Sequence, residues 1–366
     1  MIRKIELNNF KCFENNEFEL SNLNLFSGTN SMGKSTVLQA LLLLRQSFEI
    51  DNKINKAYLN GQYVNLGGVK DLLTADSDAE EIVVKITADE GWLEYRIPVS
   101  KELELDVVEV VLSGDEMTKL NLFIPGFDYI SAERFGPRLI YEKSSNVVSQ
   151  EKRLGVHGEY FVHYLQKYGE TEDVKNNEVL HPDEKSTKLK YQVIKWMSEI
   201  TEGFDVDFEN YGRSNTVGFA IHQNEGNNAH YFTPNNVGFG ISYVLPVITA
   251  LLKAKCGDLV IIENPEAHLH PRGQRKIGEL ISCAAAGGVQ IIIETHSDHI
   301  LNGIRLSVMN EAVSPDSVNL FFISKKDKKT GSSRIIEKPK IEKNGKIQNW
   351  PKGFFDEWDY ALFKLM

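Results

Sequence analysis

The chain has 366 residues, 42% hydrophobic and 25% charged, an ordinary balance for a globular protein with a sizeable core. Acidic residues number 51 against 41 basic ones, and the net charge of −10 excludes a general long-range attraction to nucleic acid. Cys12, Cys256 and Cys283 are too widely spaced for a CxxC or metal cluster, and no run approaches the roughly 18 apolar residues of a membrane span, so a cytoplasmic protein is expected. The opening segment alternates like a strand and lacks the apolar core of a signal peptide. Ile2, Ile5, Leu7, Phe10, Phe13, Phe18 and Leu20 predict short strands with a turn at Glu14-Asn15-Asn16-Glu17. Lys11-Cys12-Phe13 lies where an adenine can stack on a basic stem or a ring, with a core role for Phe13 the plainer alternative.

An apolar strand through Leu23, Leu25 and Phe26 then leads into Gly28-Thr29-Asn30-Ser31-Met32-Gly33-Lys34-Ser35-Thr36, followed by the leucine-rich helix from Val37 to Leu44. This is G-x-x-x-x-G-K-[ST], the phosphate-binding loop, in the strand-to-helix setting it requires. Gly28 and Gly33 permit backbone conformations that turn successive N–H groups toward phosphate oxygens, and the new helix adds its positive end. Lys34 reaches the β/γ-phosphates and the Ser35 hydroxyl takes a Mg²⁺ position, with Thr36 as the alternative.

Gln62, in the turn-rich stretch Asn60 to Gly68, is a candidate water- or Mg²⁺-sensing glutamine or simply a solvated turn residue. From about 65 to 130 the chain is β-rich, with strands expected at Ile82 to Ile86, Trp92 to Ile97, Leu103 to Leu112 and Leu120 to Ile124. Arg134 and Arg138 follow on a loop, where they contact phosphate or an acidic partner, or pair with Glu133. A helical lobe is expected over about 150–203, its aromatic stripe in the core. Strands near Phe204 to Phe208 and Val217 to Ile221 lead to Gly238-Phe-Gly-Ile-Ser242, whose glycines and serine open the helix Tyr243 to Leu252. Gly240 and Ser242 thereby make a second anion-binding element, suited to capping a γ-phosphate held by another subunit.

The unbroken aliphatic run before Glu263 reads as a strand buried on both faces, delivering its carboxylate at the strand's end to the Mg²⁺ shell. After a helix from Pro271 to about Ala285, a second buried strand ends in Glu294-Thr295-His296-Ser297, where His296 can reach a γ-phosphate or the attacking water. The tail, with Lys325, Lys326, Lys328, Lys329, Lys338, Lys340, Lys343 and Lys346, is the basic tract of an acidic chain. It is a solvated face, or a nucleic-acid or partner contact. Asp76-x-Asp78 and Asp205-x-Asp207 read as surface acids rather than metal pairs.

In this order the Asn-Phe-Lys-x-Phe start, the Gly28 to Thr36 loop, the Gly238 to Ser242 signature, Pro265-Glu266-Ala267-His268-Leu269-His270-Pro271 and Thr295-His296-Ser297 resemble the ABC-type ATPase heads. These include SMC proteins, RecF and the overcoming-lysogenization-defect (OLD) group. The resemblance implies an α/β P-loop NTPase of ABC type, with a mixed sheet, an added β-rich section and a helical lobe. The head would span 1–324 and a basic tail with a terminal aromatic helix 325–366. It implies ATP and Mg²⁺ as cofactors and a homodimer with ATP between the heads: Lys34 and Ser35 on phosphate and metal, Gly240 and Ser242 across the interface, Glu263 as Walker B acid, His296 as switch histidine. Related chains look like parts of anti-phage defence or DNA repair. Two departures stand out. Asn264 occupies the place of the usual catalytic glutamate, so hydrolysis is expected to be slow, with Glu266 the nearest substitute base. No metal-dependent nuclease domain of the OLD type follows His296, so nuclease activity would come from a separate effector. A nucleotide kinase and an ATP-holding scaffold without turnover are the rival readings.

Overall fold

The computed structural model describes residues 1–75, 77–99, 105–225, 228–325 and 334–365, and their contacts divide the chain into two units. One consists of Met1–Ile124 with Asn319–Lys340 and Asn349–Met366, the other of Pro125–Val318 with Ile341–Gln348.

In the first unit, alternating apolar residues build an antiparallel sheet in the order Phe13–Glu19, Ile2–Phe10, Glu81–Ala88, Trp92–Pro98, Val111–Gly114. The register aligns Phe18, Ile5, Ile86 and Leu93, all buried, on one face. Two expectations fail here. The chain reverses at Lys11-Cys12, not at Glu14 to Glu17: Lys11 adopts φ +53° and Phe10 pairs with Phe13. Phe13–Glu19 continues as a strand through its polar residues because it lies at the sheet edge, where they face solvent. Leu120 to Ile124 is a buried turn, its Leu122 and Ile124 carbonyls accepting from Arg45 at 2.7 and 3.4 Å. An apolar run needs burial and satisfied carbonyls, and a buried guanidinium supplies the second as well as a ladder does. The expected strand Leu103 to Leu112 resolves into Val107–Glu109 and Val111–Gly114, its first residues lying outside the described ones.

The same unit holds the strand Leu23–Gly28, the helix Lys34–Asp51 and the strands Val318–Lys325 and Arg334–Glu337. Val318–Lys325 is the neighbour of Leu23–Gly28 and pairs antiparallel with Arg334–Glu337 on its other side. Phe321 stacks on Phe26 at 4.6 Å, and Phe18 packs on both.

In the second unit the strands Gln290–Glu294, Leu259–Glu263 and Phe127–Ile130 run parallel in that order. The aliphatic residues of all three are buried, as unbroken runs between helices require. Around them lie the helices Phe239–Lys253, Pro271–Ala286 and Asp298–Met309. The helical lobe consists of Phe161–Tyr168 and Leu189–Ser198; Phe161, Tyr164 and Trp196 are core, while Tyr191 is 43% exposed. Among the described residues no helix is long and apolar enough to cross a membrane.

Candidate functional site

The phosphate-binding loop has the backbone its sequence demands. Gly28 sits at φ +147° and Gly33 at φ +110°, and a Cβ on either would run into a neighbour: the Ile323 carbonyl at Gly28, the Cys12 sulfur at Gly33. Ser31, at φ +63°, turns left-handed without that freedom. Lys34 is 4% exposed, and its Nζ donates to the carbonyls of Gly28 and Thr29, both at 3.0 Å. The lysine thus sits folded over its own loop, its charge held where a phosphate would arrive. Gly33 opens the helix without a side-chain cap, so no protein side chain covers the positive end of the helix dipole there. The half-buried Ser35 hydroxyl is a hard oxygen donor of the kind Mg²⁺ takes, so this loop fits both a nucleotide and its metal. Phe13 is fully buried against Phe18, and Lys11 donates to Gln39 at 2.9 Å, its pKa lowered by burial. Of the two readings of Phe13, the plainer one, core packing, is what the structure has.

In the second unit four segments converge on the end of Leu259–Glu263. The Glu263 carboxylate accepts from the Ala132 N–H at 3.1 Å and from the Tyr129 hydroxyl, and burial raises its pKa. Arg134 is not on an open loop and does not pair with Glu133. It is 3% exposed and donates to the carbonyls of Glu263 at 2.7 Å, Asn264 at 2.5 Å and Ser131 at 3.1 Å. Its guanidinium lies 5.7 Å from the Tyr243 ring, and burial lowers its pKa to about 10. Asn264 takes φ +45°, a conformation asparagine tolerates better than glutamate, and its N–H bonds the Glu294 carbonyl at 2.8 Å.

Glu266 is engaged on both oxygens, accepting from the Thr295 hydroxyl at 2.7 Å and the His296 N–H at 2.8 Å. Thr295 is fully buried, and the Ser297 hydroxyl caps Asp298–Met309 by accepting from His299 and Ile300, both at 3.1 Å. Between these anchors the His296 side chain is exposed. The structure therefore brings Glu263, Asn264, Glu266 and His296 into one neighbourhood. Sequence reading weighed Arg134 only as a contact to phosphate, an acidic partner or Glu133, and missed it as the organiser of this strand end.

The remaining residues are placed differently. Gly238 and Phe239 are exposed at the start of Phe239–Lys253, Phe239 by 60%, and Gly240 lies against the His268 carbonyl. Ser242 is fully buried beside the Tyr141 hydroxyl, so its own hydroxyl does not face outward as a bridging contact needs. Gln62 is exposed in its turn. The glutamine that holds this loop is Gln46, accepting from Tyr63 at 2.9 Å and Val64 at 3.1 Å and donating to Tyr58 at 2.8 Å. Asp207 pairs with Lys190 at 3.5 Å and His222 at 3.4 Å, and no metal cluster occurs among the described residues. Asp76, Lys326, Lys328 and Lys329 lie outside the described residues.

With this geometry in place, residues 23–302 match the family described as "AAA domain, putative AbiEii toxin, Type IV TA system". The chain belongs to this AAA-domain family. Residues 313–365 of the AAA-domain protein match a second family, described as "Protein of unknown function (DUF3696)". A solved structure of an SMC head bound to the C-winged helix domain of ScpA is similar over 93% of this chain and 99% of its own, with TM-score 0.51 and 11% identity. An SMC head domain from Thermotoga maritima is similar over 92% and 98%, with TM-score 0.48 and 10% identity. An SMC head with an extended coiled coil bound to the C-terminal domain of ScpA, derived from Pyrococcus furiosus, is similar over 100% and 99%, with TM-score 0.49 and 14% identity. No curated protein matches. The fold is the mixed α/β P-loop fold of the ABC-type ATPase heads, as the motif order implied.

Proposed function

We propose that this chain binds ATP with Mg²⁺ and hydrolyses it slowly, and that two copies close around the nucleotide to switch a separate effector or a nucleic-acid process. The observation that carries the reading is Lys34, buried inside a loop whose two glycines hold the required conformations, at the uncapped start of a helix. The loop N–H groups and Lys34 grip the triphosphate, and Ser35 and Glu263 are the groups to hold Mg²⁺, which supplies charge neutralisation on the transferred phosphoryl. His296 is presented to solvent by Glu266 on one side and the Ser297 cap on the other, which suits a group that meets ligand. Glu266, with both oxygens engaged, orients that strand end rather than taking a proton.

Asn264 orients a water but cannot accept its proton, which removes a contribution of about 10²–10⁴-fold in rate. The cross-subunit contact falls to the helix start at Gly238 to Gly240 rather than to the Ser242 hydroxyl. A defence or repair role draws support from the family's toxin description, and a protein partner from the ScpA-bound head. We place the head at 1–324 and the tail at 325–366. The second reading, an ATP-holding scaffold, is favoured by the Asn264 amide alone.

Steady-state phosphate release from wild type, Lys34→Ala and Glu263→Gln tests this, with light scattering in the presence and absence of ATP. Turnover in wild type, lost in both variants, with a mass that doubles on ATP, is expected. Turnover that survives both substitutions sinks the site assignment.

A further inference from the structure

The carbonyls of the phosphate-binding loop are held from outside as well as from within. Gly28 and Thr29 accept from Lys34, Gly33 from the Thr36 N–H at 3.1 Å, and Met32 from the Cys12 thiol at 3.7 Å. The Ser31 carbonyl accepts from Arg334 Nη2 at 3.4 Å. Arg334 opens the strand Arg334–Glu337, more than three hundred residues away in the chain and within the segment that matches the family of unknown function. Its Nε is buried with no hydrogen-bond partner among the described residues.

Two more contacts tie the same segment to the loop. The Ile323 carbonyl fills the space where Gly28 lacks a side chain, and Phe321 stacks on Phe26 of the strand that feeds the loop. Arg334 differs from Lys34 in one respect that matters. Lys34 is shared between the loop carbonyls and the phosphate it is there to bind, so its hold on the loop relaxes when nucleotide arrives. Arg334 acts from another element, on the carbonyl of the left-handed, non-glycine Ser31, and is not itself a residue of the loop.

We infer that Arg334 is a positioning residue for nucleotide binding: through the Ser31 carbonyl it fixes the apex of the phosphate-binding loop, making the C-terminal segment a structural part of the nucleotide site. The inference rests on the nucleotide-binding reading of that loop. Because Arg334 acts through the loop and not on the γ-phosphate, ATP and ADP depend on it equally.

Titration of the full chain with fluorescent ATP and ADP analogues in Mg²⁺ tests it. Arg334→Ala is expected to weaken both nucleotides by the same factor, about 5- to 10-fold, the worth of one ordinary hydrogen bond. The melting temperature of the nucleotide-free protein is expected to stay unchanged, and Arg334→Lys to recover part of the loss. Lys325→Ala removes the cross-strand neighbour of Arg334, an exposed cation of the same segment, and is expected to bind as wild type. Unchanged affinity in Arg334→Ala, loss confined to ATP, or an equal loss in Lys325→Ala overturns the inference while leaving the nucleotide site standing. If Arg334→Ala does not fold, Arg334→Gln, which keeps a neutral donor, carries the same comparison. Wild-type protein that binds neither nucleotide overturns both.

Discussion

The phosphate-binding loop and the strand-end cluster both hold polar atoms still, by opposite means. The loop is nine consecutive residues whose shape is set by two glycines and whose lysine bonds its own carbonyls. The cluster draws on four separate segments, and a single buried guanidinium binds three carbonyls to hold them. A local device of the first kind carries its stability cost within itself and can be loosened without unfolding. A device of the second kind is part of the core, so its function and its stability are inseparable.

This contrast orders the expected effects. Arg134→Met leaves three buried carbonyls without their donor and is expected to destabilise the protein by about 3 kcal/mol or more. Its denaturation midpoint should fall accordingly; an unchanged midpoint would mean that the cluster does not depend on its arginine. Lys34→Ala should do the reverse, with the midpoint nearly unchanged and ATP affinity reduced by about 100-fold, the worth of a charged contact to phosphate. Calorimetric titration reads that loss directly, and retained affinity breaks the distinction between the two regions.

Asn264→Glu sharpens the comparison further. It is expected to raise phosphate release by about 10-fold or more by restoring a base, while costing about 1 kcal/mol because glutamate is poorly suited to φ +45°. No gain in turnover would place Asn264 away from the attacking water.

Asp258, which precedes the Glu263 strand, gives the smallest effect. Burial raises its pKa to about 6 from the ordinary 3.8, against the pull of the Lys255 N–H and of Lys253. The folded protein therefore binds more protons than the unfolded chain between those values, and stability falls as pH rises through that window. Asp258→Asn should flatten this part of the stability profile by about 1 kcal/mol, measured by urea denaturation from pH 4 to 7. A profile that keeps its slope shows that another group is responsible.

How much of this was legible in the sequence follows the same division. Gly28, Gly33 and Lys34 could be read because their requirements are local: a glycine where φ is positive, a lysine one residue into the helix. The buried strands ending at Glu263 and Glu294 could be read from unbroken aliphatic runs. The polar edge strand after Phe13 could not, because exposure at a sheet edge is a property of the sheet's order. Gln62 drew notice because it lies among turn residues, whereas Gln46 lies inside the helix Lys34–Asp51 and only the fold brings it to that turn. Thr295 and Ser297 read as companions of His296 in chemistry, whereas one anchors Glu266 and the other caps a helix.

By itself, then, the order of residues settled the phosphate-binding loop, the parallel strands and the family, because each depends on spacing along a few neighbours. Tertiary structure alone decided that Arg134 organises the strand end, that Ser242 is inside, and that Arg334 meets Ser31. Each of these turns on which distant carbonyl or cavity a side chain finds, and backbone geometry over a dozen residues carries no information about that.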